Sequence, residues 1–204
     1  MRVVPNLYPA FERQEVVIHS PQHVRSIAEL SDEALSLVAD AWKARAEGSG
    51  YVHAIVNEGR LAGASLPHTH SQLVWLRGPP PEVAREGAMD GVLDGEPVLQ
   101  RDGITVVCPH VSADPYEMRI APAEPQTKAF ASDLLAQALQ AAAESLRRLR
   151  AVEPGAPANL WLHDGPWWHI HLVPRLTVAA GIELGAGIHV NPLSPAEAAA
   201  RLRG

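Results

Sequence analysis

Cysteine is almost missing from this chain. Of 204 residues only Cys108 carries a thiol, so no internal disulfide can staple the fold and nothing points to an oxidising compartment. No apolar run approaches the roughly 20 residues that would span a bilayer, so a membrane protein is not expected. The opening stretch MRVVPNLYPAFERQ lacks the apolar centre and small-residue cleavage site of a secretory signal. A cytoplasmic location is therefore expected. Positive charge is also scarce: the net charge is −6, and apart from Arg147–Arg150 the basic residues are scattered. With no basic stripe to follow a phosphate backbone, long nucleic acid is not an expected partner.

What is present is a globular composition, 47% apolar and 20% charged, and a length that can bury about 70% of the unfolded chain's surface. The unusual features are ten histidines, several clustered, and 18 prolines. Self-comparison gives a weak repeat in the same order of elements. In the first half, strands at 2–5 and 15–19 precede a helix opened by Ser31, Asp32 and Glu33, with Ala34, Leu35, Val38, Ala41 and Trp42 at helical spacing. Strands at 51–57 and 70–76 follow. The second half reads strand 104–109, strand 116–122, a helix from 132 to 149, and strands 159–163 and 169–174. A capping box at Ser194–Glu197 opens a last helix. The fold class expected is α+β, two fused units forming mostly antiparallel sheet with helices packed on it. Their expected bounds are 1–77 and 104–204, joined by a proline-rich linker at 78–103 with Asp-Gly-type turns.

Each unit ends in His-x-His, at His68/His70 and at His169/His171. On a strand, residues two apart share a face, so each pair projects two imidazoles together. Such pairs serve as metal ligands, as a nucleophile or proton carrier with its neighbour, or as hydrogen-bonded structure. Ahead of the first pair, Asn57, Gly59, Gly63, Ala64 and Ser65 form a small-residue loop whose amides an anion can approach closely. Its spacing matches neither a Walker loop nor the Rossmann glycine pattern.

The string from Asn57 through Gly63–Ala64–Ser65–Leu66–Pro67–His68–Thr69–His70–Ser71–Gln72 resembles the active-site segment of the galactose-1-phosphate uridylyltransferase family. This is a branch of the histidine-triad superfamily that includes nucleotide-sugar phosphorylases. Val4–Ala10, Glu15–His23, Pro115–Glu117 and the tail from Trp168 to Arg203 resemble further segments, so the likeness spans nearly the whole chain. It implies two histidine-triad-like units and a ping-pong reaction. His70 would attack the α-phosphorus of a nucleotide sugar and form a covalent nucleotidyl-imidazole, which a hexose 1-phosphate or inorganic phosphate then resolves. Gln72, Ser65 and the Gly63 backbone would donate to the phosphoryl oxygens. Asn6 and Leu7 would flank the nucleoside, Asn57, Gly63 and Ala64 would line the phosphate site, and Glu183 would accept from sugar hydroxyls.

Related hydrolases carry a third histidine where Gln72 stands. The glutamine thus favours transfer to an anionic acceptor over water, and argues against hydrolysis of dinucleotide polyphosphates. His-x-His-Ser-Gln resembles the phosphorylase branch, while uridylyl transfer to galactose 1-phosphate is the family's default. A nucleotide-binding homologue without catalysis is the alternative of another class. Members of the family are commonly dimers, so a homodimer is expected. His23 and His68 match two ligands of a family zinc site whose Cys-x-x-Cys is absent here, which favours a zinc-free or substituted site. Glu86, His163, His169 and His171 match a second metal position, for zinc or iron. The alternative there is hydrogen-bonded aromatic structure with Trp161 and Trp167.

Overall fold

The computed structural model describes residues 1–48, 50–86 and 91–204. Among them nine strands form one antiparallel sheet: β1 (Arg2–Pro5), β2 (Gln14–Ile18), β3 (Tyr51–Glu58), β4 (His70–Leu76), β5 (Gly95–Arg101), β6 (Ile104–Pro109), β7 (Met118–Pro122), β8 (Ala158–His163) and β9 (His169–Pro174). Five α-helices accompany them: α1 (Asp32–Arg45), α2 (Pro81–Glu86), α3 (Leu135–Val152), α4 (Gly181–Ala186) and α5 (Pro195–Arg203). The strand order is β1-β2-β4-β3-β8-β9-β7-β6-β5. Leaving out the edge strand β5, this order is a palindrome about the β3–β8 contact. The two halves therefore share one sheet, joined by pairs such as Asn57 with Asn159.

Alternation decides which face is buried. Val17, Leu73, Ala54, Val56, Leu160, Leu162, Ile170, Leu172, Met118 and Ile120 all point to one side and are at most 2% exposed. Over them lies α3, whose Leu135, Ala138, Leu139, Ala142, Leu146 and Leu149 recur at helical spacing. Burying each leucine contributes about 1.5–3 kcal/mol, and the alanines let the helix lie close to the strands. α1 and α5 complete this layer. α1 is capped by the Ser31 hydroxyl, which accepts from the Ala34 amide at 3.3 Å. No helix among the described residues is long and apolar enough to cross a membrane.

The opposite face is left to polar chemistry. One row of cross-strand neighbours runs Val16, Gln72, Ile55, Trp161, His171 and Arg119. Both histidine pairs stand on this face because His70 shares its side of β4 with Gln72, and His169 its side of β9 with His171.

The structure corrects several expected boundaries. Residues 78–103 are more than a linker: they carry α2, and β5 pairs with β6. Asp102 (φ 49°) and Gly103 (φ 81°) are both left-handed, so this Asp-Gly is a hairpin turn between strands. Pro97 and a bulge after it obscured the strand's alternation, as befits a sheet edge. Residues 87–90 of the expected linker lie outside the described residues. β7 begins at Met118, not 116, because Tyr116 adopts φ 58°. α3 begins at Leu135, after the Ser132 hydroxyl has been taken by the Leu134 amide at 3.1 Å.

Candidate active site

His70 opens β4 and is 7% exposed. Its Nδ1–H donates to the carbonyl of His68 at 2.8 Å. A carbonyl cannot donate, so Nδ1 carries a proton, and in the neutral ring the Nε2 lone pair is then the free one. His70 lines a cleft of about 740 Å³ together with Val4, Asn6, Leu7, Tyr8, Ser65 and Leu66. The walls are largely apolar, as suits a nucleoside. A second cleft of about 610 Å³ lies across the Ser65–His68 loop, lined by Arg25, Asn57, Gly59, Arg60, Ala64, Ser65 and His68. Ser65, Leu66 and His68 belong to both. The loop thus separates an apolar cleft from one bordered by two arginines.

Behind β4 a buried network fixes the strand that carries His70. His19 joins Thr69 Oγ1 through Nδ1 at 3.1 Å and Ser71 Oγ through Nε2 at 3.0 Å. Trp42 Nε1 donates to the same Ser71 hydroxyl at 2.8 Å. Burial, and then the neighbouring His70 and His68, push the His19 pKa down to about 3. Its neutral form is the one this network holds.

The second pair forms a different site. His163 Nδ1 lies 2.7 Å from Glu86 Oε2, His171 Nε2 lies 3.3 Å from Glu86 Oε1, and His169 and His171 face each other through Nε2 at 2.9 Å. One ligand atom from each of the four residues falls within 4.8 Å of every other. His169 Nδ1–H donates to the Trp167 carbonyl at 2.9 Å, which turns its Nε2 lone pair inward. Burial works to raise the Glu86 pKa, but hydrogen bonds from the three imidazoles hold it well below the usual carboxylate range. Burial pushes the His171 pKa down to about 4. A carboxylate facing three imidazoles in a buried pocket is a donor set that fits zinc or iron.

A model of the galactose-1-phosphate uridyl transferase N-terminal domain matches residues 9–77. The whole chain is similar to the ADP-glucose phosphorylase of Arabidopsis thaliana, 26% identical over 267 aligned positions and covering 74% of that protein. The galactose-1-phosphate uridylyltransferase of Neurospora crassa is 28% identical over 195 positions, 75% of this chain and 49% of that protein. A solved Arabidopsis ADP-glucose phosphorylase with bound ADP-glucose superposes with a TM-score of 0.88 at 22% identity, over 99% of this chain and 81% of the other. Together these similarities support the galactose-1-phosphate uridylyltransferase family, phosphorylase relatives included.

The site residues expected from the motif do not all come together. Asn6, Leu7, Ser65 and His70 border one cleft, Asn57 and Ala64 the other. Gln72 shares the His70 face of β4. Gly63 differs from expectation: its N–H donates to the Arg60 carbonyl at 3.0 Å, and the Ala64 N–H to Gly59 at 3.1 Å. The Gly63 amide is therefore engaged within the loop and does not face an anion. Glycine is still required there, because its φ of 84° is left-handed. Glu183 borders neither cleft; it is half-buried in α4, where its carboxylate accepts from the Ala180 amide at 2.9 Å.

His23 and His68 do meet, Nδ1 to Nδ1, at 3.2 Å. His68 Nε2–H donates to the Ser20 carbonyl at 2.9 Å, so the shared proton belongs to His23. Among the described residues no further Cys, Asp, Glu or His joins them in a cluster. Cys108 is buried on β6, and burial pushes its thiol pKa up to about 12. Two imidazoles alone do not meet the four-ligand demand of structural zinc.

Four contributors were not picked out from the sequence. Arg25 and Arg60 border the second cleft. Gln14 Nε2 donates to Gln72 Oε1 at 2.5 Å, and Asn159 Nδ2 donates to Asn57 Oδ1 at 2.8 Å. Arg60 lies within the Asn57–Gln72 string without being singled out there, and no motif marks the other three. Strand pairing brings Gln14 and Asn159 to their partners, and pairing register is not written in one strand's sequence.

Proposed function

We propose that this chain transfers a nucleoside monophosphate between a nucleotide sugar and a hexose 1-phosphate through a covalent adduct on His70. The reading rests on the free Nε2 of His70 at the edge of a cleft large enough for a nucleotide. The Nε2 lone pair attacks the α-phosphorus, an N–P bond forms, and the bridging P–O bond breaks to release the sugar 1-phosphate. A phosphate oxygen of the acceptor then attacks the same phosphorus, the N–P bond breaks, and His70 regains its lone pair. Dividing one displacement into two is what a nucleophile that is also a leaving group permits. Ser65 and Gln72 act as donors as charge builds on the phosphoryl oxygens.

Inorganic phosphate as acceptor is the second reading. It is favoured by the similarity to ADP-glucose phosphorylase over the full length of this chain and by the arginine-bordered cleft, which suits a compact anion. Glu86, His163, His169 and His171 would hold zinc or iron, which would tie α2 to β8 and β9.

Glu183 can serve sugar hydroxyls only from outside its own chain's clefts. We place that role in a homodimer whose contact includes the exposed Val178, Leu184 and Val190 of the tail, each at least 58% exposed.

The deciding experiment is intact-mass spectrometry after mixing with UDP-, ADP- and GDP-glucose. The mass gained identifies the nucleotide, and peptide mapping should place it on His70. No adduct with any donor, or an adduct elsewhere, rejects the reading.

A further inference from the structure

Gln72 and Asn57 are carboxamides, and a carboxamide has one end that donates and one that accepts. Which end meets a bound phosphate decides whether the residue helps or repels. In both cases a second amide has taken the oxygen. Gln14 Nε2–H donates to Gln72 Oε1 at 2.5 Å, while the Gln14 oxygen is itself held by the Ala10 amide at 2.9 Å. Asn159 divides its two protons between Asn57 Oδ1 at 2.8 Å and the Ala62 carbonyl at 2.7 Å. Asn57 Nδ2 then stands 3.9 Å from where a Cβ on Gly63 would lie, at the end of the loop.

The Gly63 and Ala64 amides are engaged inside that loop, so those two do not meet an anion and more of the task passes to side-chain donors. Gln14 comes from β2 and Asn159 from β8, so the two outer amides approach from opposite sides of the β4–β3 pair. We infer that Gln14 and Asn159 are positioning residues: each fixes the polarity of an inner amide, so that Gln72 and Asn57 both turn N–H donors toward the phosphoryl oxygens. The inference rests on the nucleotidyl transfer proposed above.

The test inverts polarity without changing shape. In Gln14→Glu the carboxylate still accepts from Ala10 but no longer donates to Gln72. The Gln72 NH₂ should therefore turn to the introduced carboxylate and leave its oxygen toward the phosphate. Single-turnover formation of the His70 adduct from ADP-glucose and from UDP-glucose should slow by about 100-fold, the scale of one lost transition-state donor. Gln14→Leu, which frees Gln72 to rotate, should slow it by about tenfold or less, well short of the inverted variant. Asn159→Asp should reproduce the larger loss through Asn57.

A thermal melt of each variant close to that of the unaltered chain would confirm that the fold is kept. Adduct formation at the unaltered rate in Gln14→Glu, or an equal loss in Gln14→Leu and Gln14→Glu, overturns the inference and leaves the proposed function standing. No adduct in the unaltered chain removes both, and is told apart by that control.

Discussion

His70 and His169 make the same bond in the two halves of the sheet. Each opens its strand and donates Nδ1–H to the carbonyl two residues earlier, at 2.8 and 2.9 Å. The two His-x-His pairs are therefore offset by one histidine: the second of the first pair corresponds to the first of the second. What differs is the surroundings of Nε2. In the first half it borders an open cleft; in the second it faces His171 and Glu86, the latter brought by α2. One local geometry thus turns Nε2 to an open cleft in one half and to an imidazole and a carboxylate in the other.

Replacing His70 by glycine should abolish the covalent adduct while nucleotide still binds, because the apolar cleft walls remain. Intact mass and isothermal titration with the same nucleotide sugar measure the two separately. Retained transfer in His70→Gly would reject the nucleophile assignment.

Ser65 borders both clefts. Ser65→Ala should slow adduct formation by roughly 10²-fold if its hydroxyl meets developing charge, with a much smaller change in nucleotide affinity. A loss confined to affinity would assign it to ground-state binding.

Zinc or ferrous ion added to chelator-treated protein should raise the melting temperature, since ligand bound only to the folded state stabilises it by about 2.7 kcal/mol at a hundredfold excess over Kd. Glu86→Gln should remove most of that shift. An equal shift in the variant would mean that the ion binds elsewhere.

His19 predicts a pH dependence of stability. Its pKa is about 3 when folded against 6.5 unfolded, so above pH 6.5 both states are neutral and it contributes no slope. As pH falls below 6.5 the unfolded state gains a proton that the folded state refuses, and stability declines. By pH 5 the loss is about 2 kcal/mol. Urea unfolding between pH 7 and 5 should show a flatter decline in His19→Gln than in the unaltered chain.

Leu146 is fully buried in α3, and Leu146→Ala should cost about 2–5 kcal/mol. Chemical denaturation measures it. A cost below about 1 kcal/mol would show that the α3 layer collapses to fill the space.

Much of the architecture was legible because it rests on local signals. Alternation marked β4 and β9, helical spacing with the Ser31 cap marked α1, and the string from Asn57 to Gln72 marked the family resemblance. The edge strand β5 was not legible: a proline and a bulge broke its alternation, and its Asp-Gly turn was read as part of a linker. The left-handed Tyr116 likewise hid where β7 begins, since aromatic residues ordinarily favour strands.

By itself the sequence determined the two His-x-His pairs, the small-residue loop before the first of them and the family its string resembles, because a motif keeps its residues within reach along the chain. Only the tertiary structure decided proton placement, donor polarity and which residues share a cleft. Those depend on strand pairing across the β3–β8 contact and between β2 and β4, where groups 58 to 102 residues apart come within hydrogen-bonding distance. Pairing register is set by the whole buried face at once, not by any one segment.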